Sequence, residues 1–207
     1  MKEIYILNTQ LSNTQSINFA LQKLGYSTKT ILSEKELNEN DFVVIPGVGN
    51  FKQAMLNISK TTNKQKMIDK NIKIFGICLG MQLLLSNSDE GNVEGLNLIE
   101  GEVKSLKSKD VVNVPNIGWR KVNFEIDSLS EFNNEYFYFV HSYAVFPKAK
   151  NNIAAKINLE NQEIPVSITN KTNQVGNYFG CHFHPEKSGD IGLAFLDKII
   201  SIMNKND

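Results

Sequence analysis

The stretch Lys73-Ile-Phe-Gly-Ile-Cys-Leu-Gly-Met-Gln82 constrains the rest of the chain. An apolar run over residues 72–77, broken only by Lys73, stops at a cysteine set between Gly76 and Gly80. A short apolar run bounded by turn formers suits a buried strand. Helical spacing begins at once, with an amphipathic segment predicted over residues 79–85. Cys78 is therefore expected on an abrupt strand-to-helix turn.

That placement has chemical consequences. Glycines two residues to either side remove side chains that would crowd a sharp, strained turn. The helix starting at Leu79 points its positive end at the sulphur and favours thiolate. The N–H groups of its first turn lack intrahelical partners, so they can bind an oxyanion. This is a nucleophile-elbow arrangement with Cys in place of Ser. Free cysteines are also common as inert core residues, so a catalytic reading needs a base and an oxyanion donor from elsewhere.

The chain in order supplies the fold. Ile4–Leu7 reads as a first strand. A helix is predicted over 13–24, with Ile17, Leu21 and Leu24 on one face and Gly25 closing it. A weak strand at 29–32 and a clear one at Phe42–Ile45 follow, the latter running into Pro46-Gly-Val-Gly49. Helices are predicted at 51–59 and 62–70. This alternation indicates an α/β fold: a doubly wound, mostly parallel central sheet with flanking helices. After Asn87 glycine-punctuated segments predict strands at 102–106, 111–114, 121–126, 135–146, 153–157, 164–169 and 174–183, an additional antiparallel β portion. Ser188-Gly-Asp190 opens a last helix, capped by Ser188 or Asp190, with Ile191, Phe195, Ile199 and Ile202 on its core face. No internal repeat or linker interrupts the pattern, so residues 1–207 read as a single domain.

In doubly wound sheets ligands bind at the carboxyl ends of strands. Pro46-Gly-Val-Gly49 and Cys78 both fall at such ends. The glycine turn lets backbone N–H groups of Gly47, Val48 and Gly49 approach an anionic oxygen, and with Leu79 N–H it would form an oxyanion hole. A phosphate-binding turn competes, but G-x-G-x-x-G is missing. Among three histidines, His184 in His184-Pro-Glu186 is the best base, because Glu186 stands close enough to hold one ring nitrogen. A turn histidine beside a solvated Glu is the plainer reading. His182 points to the same side of its strand and is a rival base or a pocket-lining residue. His141 reads as a satisfied pocket or core histidine. The histidine and cysteine spacings do not form a metal ligand set, and no cofactor motif is present.

Composition excludes several classes. Lys and Arg total 22 and so do Asp and Glu, giving a formal net charge of +0 without a basic block. Nucleic acid and anionic membranes are therefore not expected partners. No apolar run approaches the roughly 18 residues of a membrane span. The N-terminal stretch is too short and charged for a signal peptide. Two cysteines, Cys78 and Cys181, make no disulfide framework, though a bridge between them is conceivable and would consume the nucleophile. A reducing, cytoplasmic setting fits. Arg120 is the only arginine.

Three motifs in this order, P-G-V-G after a strand, G-I-C-L-G-M-Q at the elbow and F-H-P-E-K-S before the last helix, resemble the class I (triad) glutamine amidotransferases. Phe137-Tyr-Phe-Val-His-Ser-Tyr143, Pro115-Asn-Ile-Gly-Trp119 and Pro46-Gly-Val-Gly-Asn-Phe51 bring the likeness nearest to the glutaminase subunits of imidazole glycerol phosphate synthases in histidine biosynthesis. The resemblance implies that Cys78 attacks the side-chain amide of L-glutamine. It implies that His184, oriented by Glu186, protonates the leaving ammonia and then activates water. Gly49 and Leu79 amides would hold the oxyanion, Gln82 would contact the glutamine, and Ser142 and Tyr143 would line its pocket. It further implies a heterodimer with a (β/α)8-barrel synthase that receives the ammonia and activates the glutaminase. Trp119, Tyr138 and Lys187 match positions near that interface, and Arg120 adjoins them.

Three departures stand out from the family pattern. Asn8-Thr-Gln-Leu-Ser-Asn13 replaces a D-Y-G-x-G-N-like loop, Asn116 and Arg120 replace His and Asn in P-H-I-G-W-N, and Cys181-His182 replaces Val-Gln before Phe-His-Pro-Glu. The residues of the hydrolytic trio are unaltered. The departures leave open a paralogue that supplies ammonia to a different synthase, for example one amidating a surface sugar. A stand-alone Cys–His hydrolase on the same fold and a regulatory subunit that has lost activity compete with both.

Overall fold

A computed structural model describes residues 3–11, 13–109, 113–160 and 162–205. The first half runs β1 (Ile4–Leu7), α1 (Thr14–Lys23), β2 (Thr28–Ile31), β3 (Phe42–Ile45), α2 (Phe51–Thr61), α3 (Lys64–Asp69), β4 (Lys73–Ile77) and α4 (Leu79–Leu83). The second half runs β5 (Asn87–Ser88), β6 (Val93–Glu94), β7 (Gly101–Ser105), β8 (Asn116–Lys121), β9 (Asn123–Phe124), β10 (Tyr136–His141), β11 (Tyr143–Pro147), β12 (Ile153–Leu159), β13 (Gln162–Lys171), β14 (Gln174–Cys181) and α5 (Gly189–Lys205).

The main sheet has eight strands in the order β2-β1-β3-β4-β14-β13-β12-β9. Its first five strands are parallel and the last three pair antiparallel. Period-2 alternation sends Ile4, Ile6, Phe42, Val44, Phe75 and Ile77 to one face, against Ile17 and Leu21 of α1 and Phe195 and Ile199 of α5. Leu7, Val43, Ile45 and Ile74 face the other way, against Phe51, Ala54 and Ile58 of α2, Met67 of α3 and the residues of α4. Burial on both faces is why β3, and β4 after Lys73, read as apolar runs rather than alternating ones. Two small sheets complete the fold, β11-β7-β5-β6 and the ribbon β10-β8. No helix among the described residues is long and apolar enough to cross a membrane.

The order β3-β4-β14 brings the site together. These three strands are neighbours and parallel, so Pro46–Gly49 after β3, Cys78 after β4 and His182 to His184 after β14 leave the same edge side by side.

The structure departs from sequence expectations in four places. The segment 79–85 is not amphipathic: every residue in it is buried, because β3, β4 and β14 enclose it, and regular helix ends at Leu83. The predicted strand 135–146 is two strands in different sheets, since Ser142 bends the chain and its carbonyl accepts a hydrogen bond from Leu106 N–H. The predicted strand 121–126 is displaced. β8 starts at Asn116 and ends at Lys121, and β9 holds only Asn123–Phe124. The Ser188 hydroxyl does not cap α5 but is committed to the histidine turn described below. The strand predicted over 111–114 begins outside the described residues, as does Ser12 in the Asn8–Asn13 stretch.

Candidate active site

Cys78 has φ +52° and ψ −110°, a left-handed conformation that a side-chain-bearing residue adopts only where its surroundings enforce it. The enforcement is close packing. A Cβ on Gly80 would lie 1.7 Å from the Ile45 carbonyl oxygen, and one on Gly76 would lie 2.6 Å from the Gly80 carbonyl. α4 is thus pressed onto the ends of β3 and β4 at a distance only glycine permits. Cys78 N–H donates to the Cys181 carbonyl at 2.8 Å, tying the elbow to β14. The thiol lies 3.9 Å from the Val140 carbonyl, within reach of a weak S–H hydrogen bond. Cys78 and Cys181 are both free thiols. Burial first, then the charges of Glu186 and Cys78, push the Cys181 thiol far up, so it stays protonated.

His184 is held on three sides. Its N–H donates to the Tyr138 carbonyl at 2.9 Å. Its carbonyl accepts from the Ser188 hydroxyl at 2.7 Å, and that hydroxyl accepts from Tyr138 N–H at 3.0 Å. Its Nδ1 meets Glu186 Oε1 at 2.7 Å, with both side chains nearly buried. Nε2 is buried without a well-aligned partner and is the nitrogen left for chemistry. Burial alone would depress this imidazole. The Cys78 sulphur and the Glu186 carboxylate outweigh it and hold the pKa up to about 10. The ring is therefore an imidazolium near neutral pH, ready to give a proton from Nε2.

A cleft of about 350 Å³ opens over Cys78. Val48, Gly49, Leu79, Gln82, Ser142 and Tyr143 line it, together with His141, Pro115, Val140 and Glu90. Gly49 has φ +102°, which explains glycine at the end of the turn. Gly47 lies behind the elbow, where an added Cβ would meet Leu79 Cβ at 2.7 Å. Sequence reasoning missed Glu90, whose Oε2 accepts from Phe51 N–H at 2.7 Å. No motif marks it. It is reached because β5 carries the chain back beside the cleft. Trp119, Arg120 and Tyr138 stand on the β8–β10 ribbon, where the Trp119 and Tyr138 rings meet edge to face at 6.0 Å. Lys187 is exposed beside the histidine turn. Among the described residues no set of three His, Cys, Asp or Glu side chains could hold a metal ion.

Two more histidines stand at the cleft, His141 in its wall and His182 beneath. His141 and His182 stack with ring centres 4.0 Å apart. His141 Nδ1 donates to the Tyr143 carbonyl at 2.7 Å, which fixes its tautomer and leaves Nε2 to accept from Asn116 Nδ2 at 2.9 Å. Burial pushes His141 down to about 4. Burial, reinforced by His141 and His184, pushes His182 well below its ordinary range. Both rings are neutral under ordinary conditions, so His184 is the histidine equipped to move protons.

Fold and site together define an α/β protein with a cysteine on a strained elbow facing a carboxylate-held histidine. Over residues 5–198 the sequence matches the family described as glutamine amidotransferase class-I, and the chain belongs to that family. It is 37% identical to the imidazole glycerol phosphate synthase subunit HisH of Oceanobacillus iheyensis, over 94% of this chain and 96% of that one. It is 33% identical to the subunit of the same name from Prochlorococcus marinus, over 98% and 95%. Among solved structures it is similar in fold to PurLQS from Thermotoga maritima (TM-score 0.72, 16% identity, 97% of this chain and 98% of that one). A crystal structure titled glutamine amidotransferase gives a TM-score of 0.70 at 16% identity, covering 97% and 98%.

Proposed function

We propose that this chain, acting as one domain over residues 1–207, is the glutaminase subunit of an imidazole glycerol phosphate synthase-type heterodimer. It hydrolyses L-glutamine to L-glutamate and passes the ammonia to a cytoplasmic (β/α)8-barrel partner in histidine biosynthesis. The observation that carries this reading is the 2.7 Å His184–Glu186 contact behind a cysteine at the floor of the cleft. The identity to HisH subunits over nearly the whole chain supports the choice of partner.

The residues divide the reaction as follows. The Cys78 sulphur attacks the δ-carbon of the glutamine side chain, and the carbonyl oxygen becomes an oxyanion. The N–H groups of Leu79 and Gly49 stabilise it, each such donor being worth on the order of 3 kcal/mol of barrier. His184 Nε2–H protonates the departing nitrogen, ammonia leaves, and a thioester remains on Cys78. The now neutral His184 takes a proton from water, which attacks the thioester and releases glutamate. Glu186 keeps the ring aimed and stabilises its charge in both steps. Glu90, a carboxylate on the cleft wall, suits the α-ammonium of an amino acid, and Ser142 and Tyr143 supply polar contacts.

The test is glutamate release from L-glutamine, measured with the cyclase subunit of an imidazole glycerol phosphate synthase present and absent. Release that rises severalfold with the cyclase is expected. Release that ignores the cyclase but rises with a sugar-amidating synthase would move the chain to the paralogous reading.

A further inference from the structure

His182 is entirely buried on the last step out of β14, and its N–H is spent on the Val166 carbonyl at 2.7 Å. It does not line the cleft, and the reaction described above does not use it. Its ring nevertheless costs stability, because Nδ1 is buried without a partner. A buried donor or acceptor left unpaired forfeits its hydration without return. A buried aromatic hydrocarbon would fill the same space without that cost. What the imidazole offers instead is a single polar contact, Nε2 to Gln82 Nε2 at 2.8 Å. Gln82 is 5% exposed and lines the cleft over Cys78.

We propose that His182 is a positioning residue for the substrate: it fixes the carboxamide of Gln82 in one orientation at the cleft wall, and so sets the affinity for glutamine. The ring nitrogen accepts one N–H of the Gln82 amide and leaves the Gln82 carbonyl oxygen as the acceptor available to the substrate. This requires a neutral ring with a fixed face. The stack on His141 at 4.0 Å provides the face, and the Asn116 and Tyr143 contacts pin His141 in turn. Two residues of the cleft wall, Gln82 and Tyr143, are thereby held by the stacked pair, Gln82 by His182 from beneath and the Tyr143 carbonyl by His141. The pairing also gives a physical sense to Asn116 and His182 occurring together. Asn116 presents its NH2 to the one nitrogen of His141 that can accept it.

The inference rests on glutamine being the substrate, and its test separates the two readings. kcat and KM for L-glutamine are measured with the cyclase subunit present for wild type, His182→Gln and His182→Asn. Gln reaches the position of Nε2 and can still accept from Gln82, whereas Asn falls short of it. We expect KM to rise about tenfold in His182→Asn with kcat within twofold of wild type, and to stay within about twofold in His182→Gln. The rise should vanish when His182→Asn is placed on a Gln82→Met background, because the residue being positioned is then gone. A purely structural role would lower the melting temperature of both variants and leave no difference in KM between them. Equal KM values in the Asn and Gln variants, or a rise that persists on Gln82→Met, overturns the proposal. If His182→Asn does not fold, the Gln variant decides: a tenfold or greater rise in its KM overturns the proposal. A wild-type chain that releases no glutamate overturns both readings at once.

Discussion

At the scale of single residues the site turns on which side chain carries charge. Burial lowers His184, yet its partners hold it at about 10, above the ordinary 6.5 of an unfolded histidine. The sign follows. A raised native pKa adds stability that is complete below about pH 6.5 and fades as pH climbs toward 10. Glu186→Gln removes one of the two groups that raise it. The melting temperature of this variant should therefore fall below that of wild type at pH 6 and converge on it by pH 10, in paired thermal denaturation curves. If His184 is the base proposed above, the variant's kcat should drop on the order of 10⁴-fold, the scale seen when the carboxylate that orients a catalytic histidine is replaced by its amide. Cys78→Ala should abolish glutamate release, by at least about a thousandfold, while keeping the fold. Retained activity in that variant would remove Cys78 from the mechanism. The strained elbow at Cys78 and the His184–Glu186 contact are legible in the sequence because each lies in a short local motif. Glu90 and the His182–Gln82 contact are not, because they join segments far apart in sequence through the sheet order alone.

At the scale of elements the elbow is a packing problem solved by glycine. Gly80 backs directly onto the Ile45 carbonyl and Gly76 onto Gly80 itself, while Gly180 on β14 faces Met81 Cγ at 2.5 Å from where a Cβ would stand. Strands β3, β4 and β14 thus approach α4 through glycine. Gly80→Ala has no room to relax, since the obstacle is backbone, and it should cost about 3 kcal/mol, at the upper end for overpacking. A urea midpoint unchanged from wild type would show that α4 can shift. The parallel half of the sheet was readable because buried strands and capped helices carry their own signals. The antiparallel half was read less well. From Tyr136 to Phe146 the residues are apolar or aromatic with only His141 and Ser142 between, a continuous strand signal, and the choice of different partners, β8 before Ser142 and β7 after it, breaks the strand in two. Partner choice is a long-range property that no window of sequence contains.

At the scale of the whole molecule the β8–β10 ribbon joins an exposed apolar face to the active site. Ile117 is 53% exposed, Trp119 49% and Tyr136 51%, three large side chains adjoining on one outward surface. Contiguous exposed apolar side chains of this kind mark interaction sites more often than isolated ones do. The inward side of the same ribbon carries two carbonyls that reach the candidate site, Tyr138 on His184 N–H and Val140 on the Cys78 thiol. Under the proposed function, a synthase subunit seated on the outward face would press on atoms that hold both His184 and Cys78, and binding and hydrolysis would be coupled through two backbone groups. Aromatic residues at the centre of an interface commonly contribute about 2 kcal/mol or more. Trp119→Ala should therefore weaken the complex with the cyclase subunit roughly thirtyfold in Kd, by the relation of about 1.4 kcal/mol per decade. Isothermal titration calorimetry measures this directly. The melting temperature of the free chain should hold within a few degrees, since half of this side chain is already in water. An unchanged Kd would place the docking surface elsewhere and break the proposed link between the ribbon and the triad.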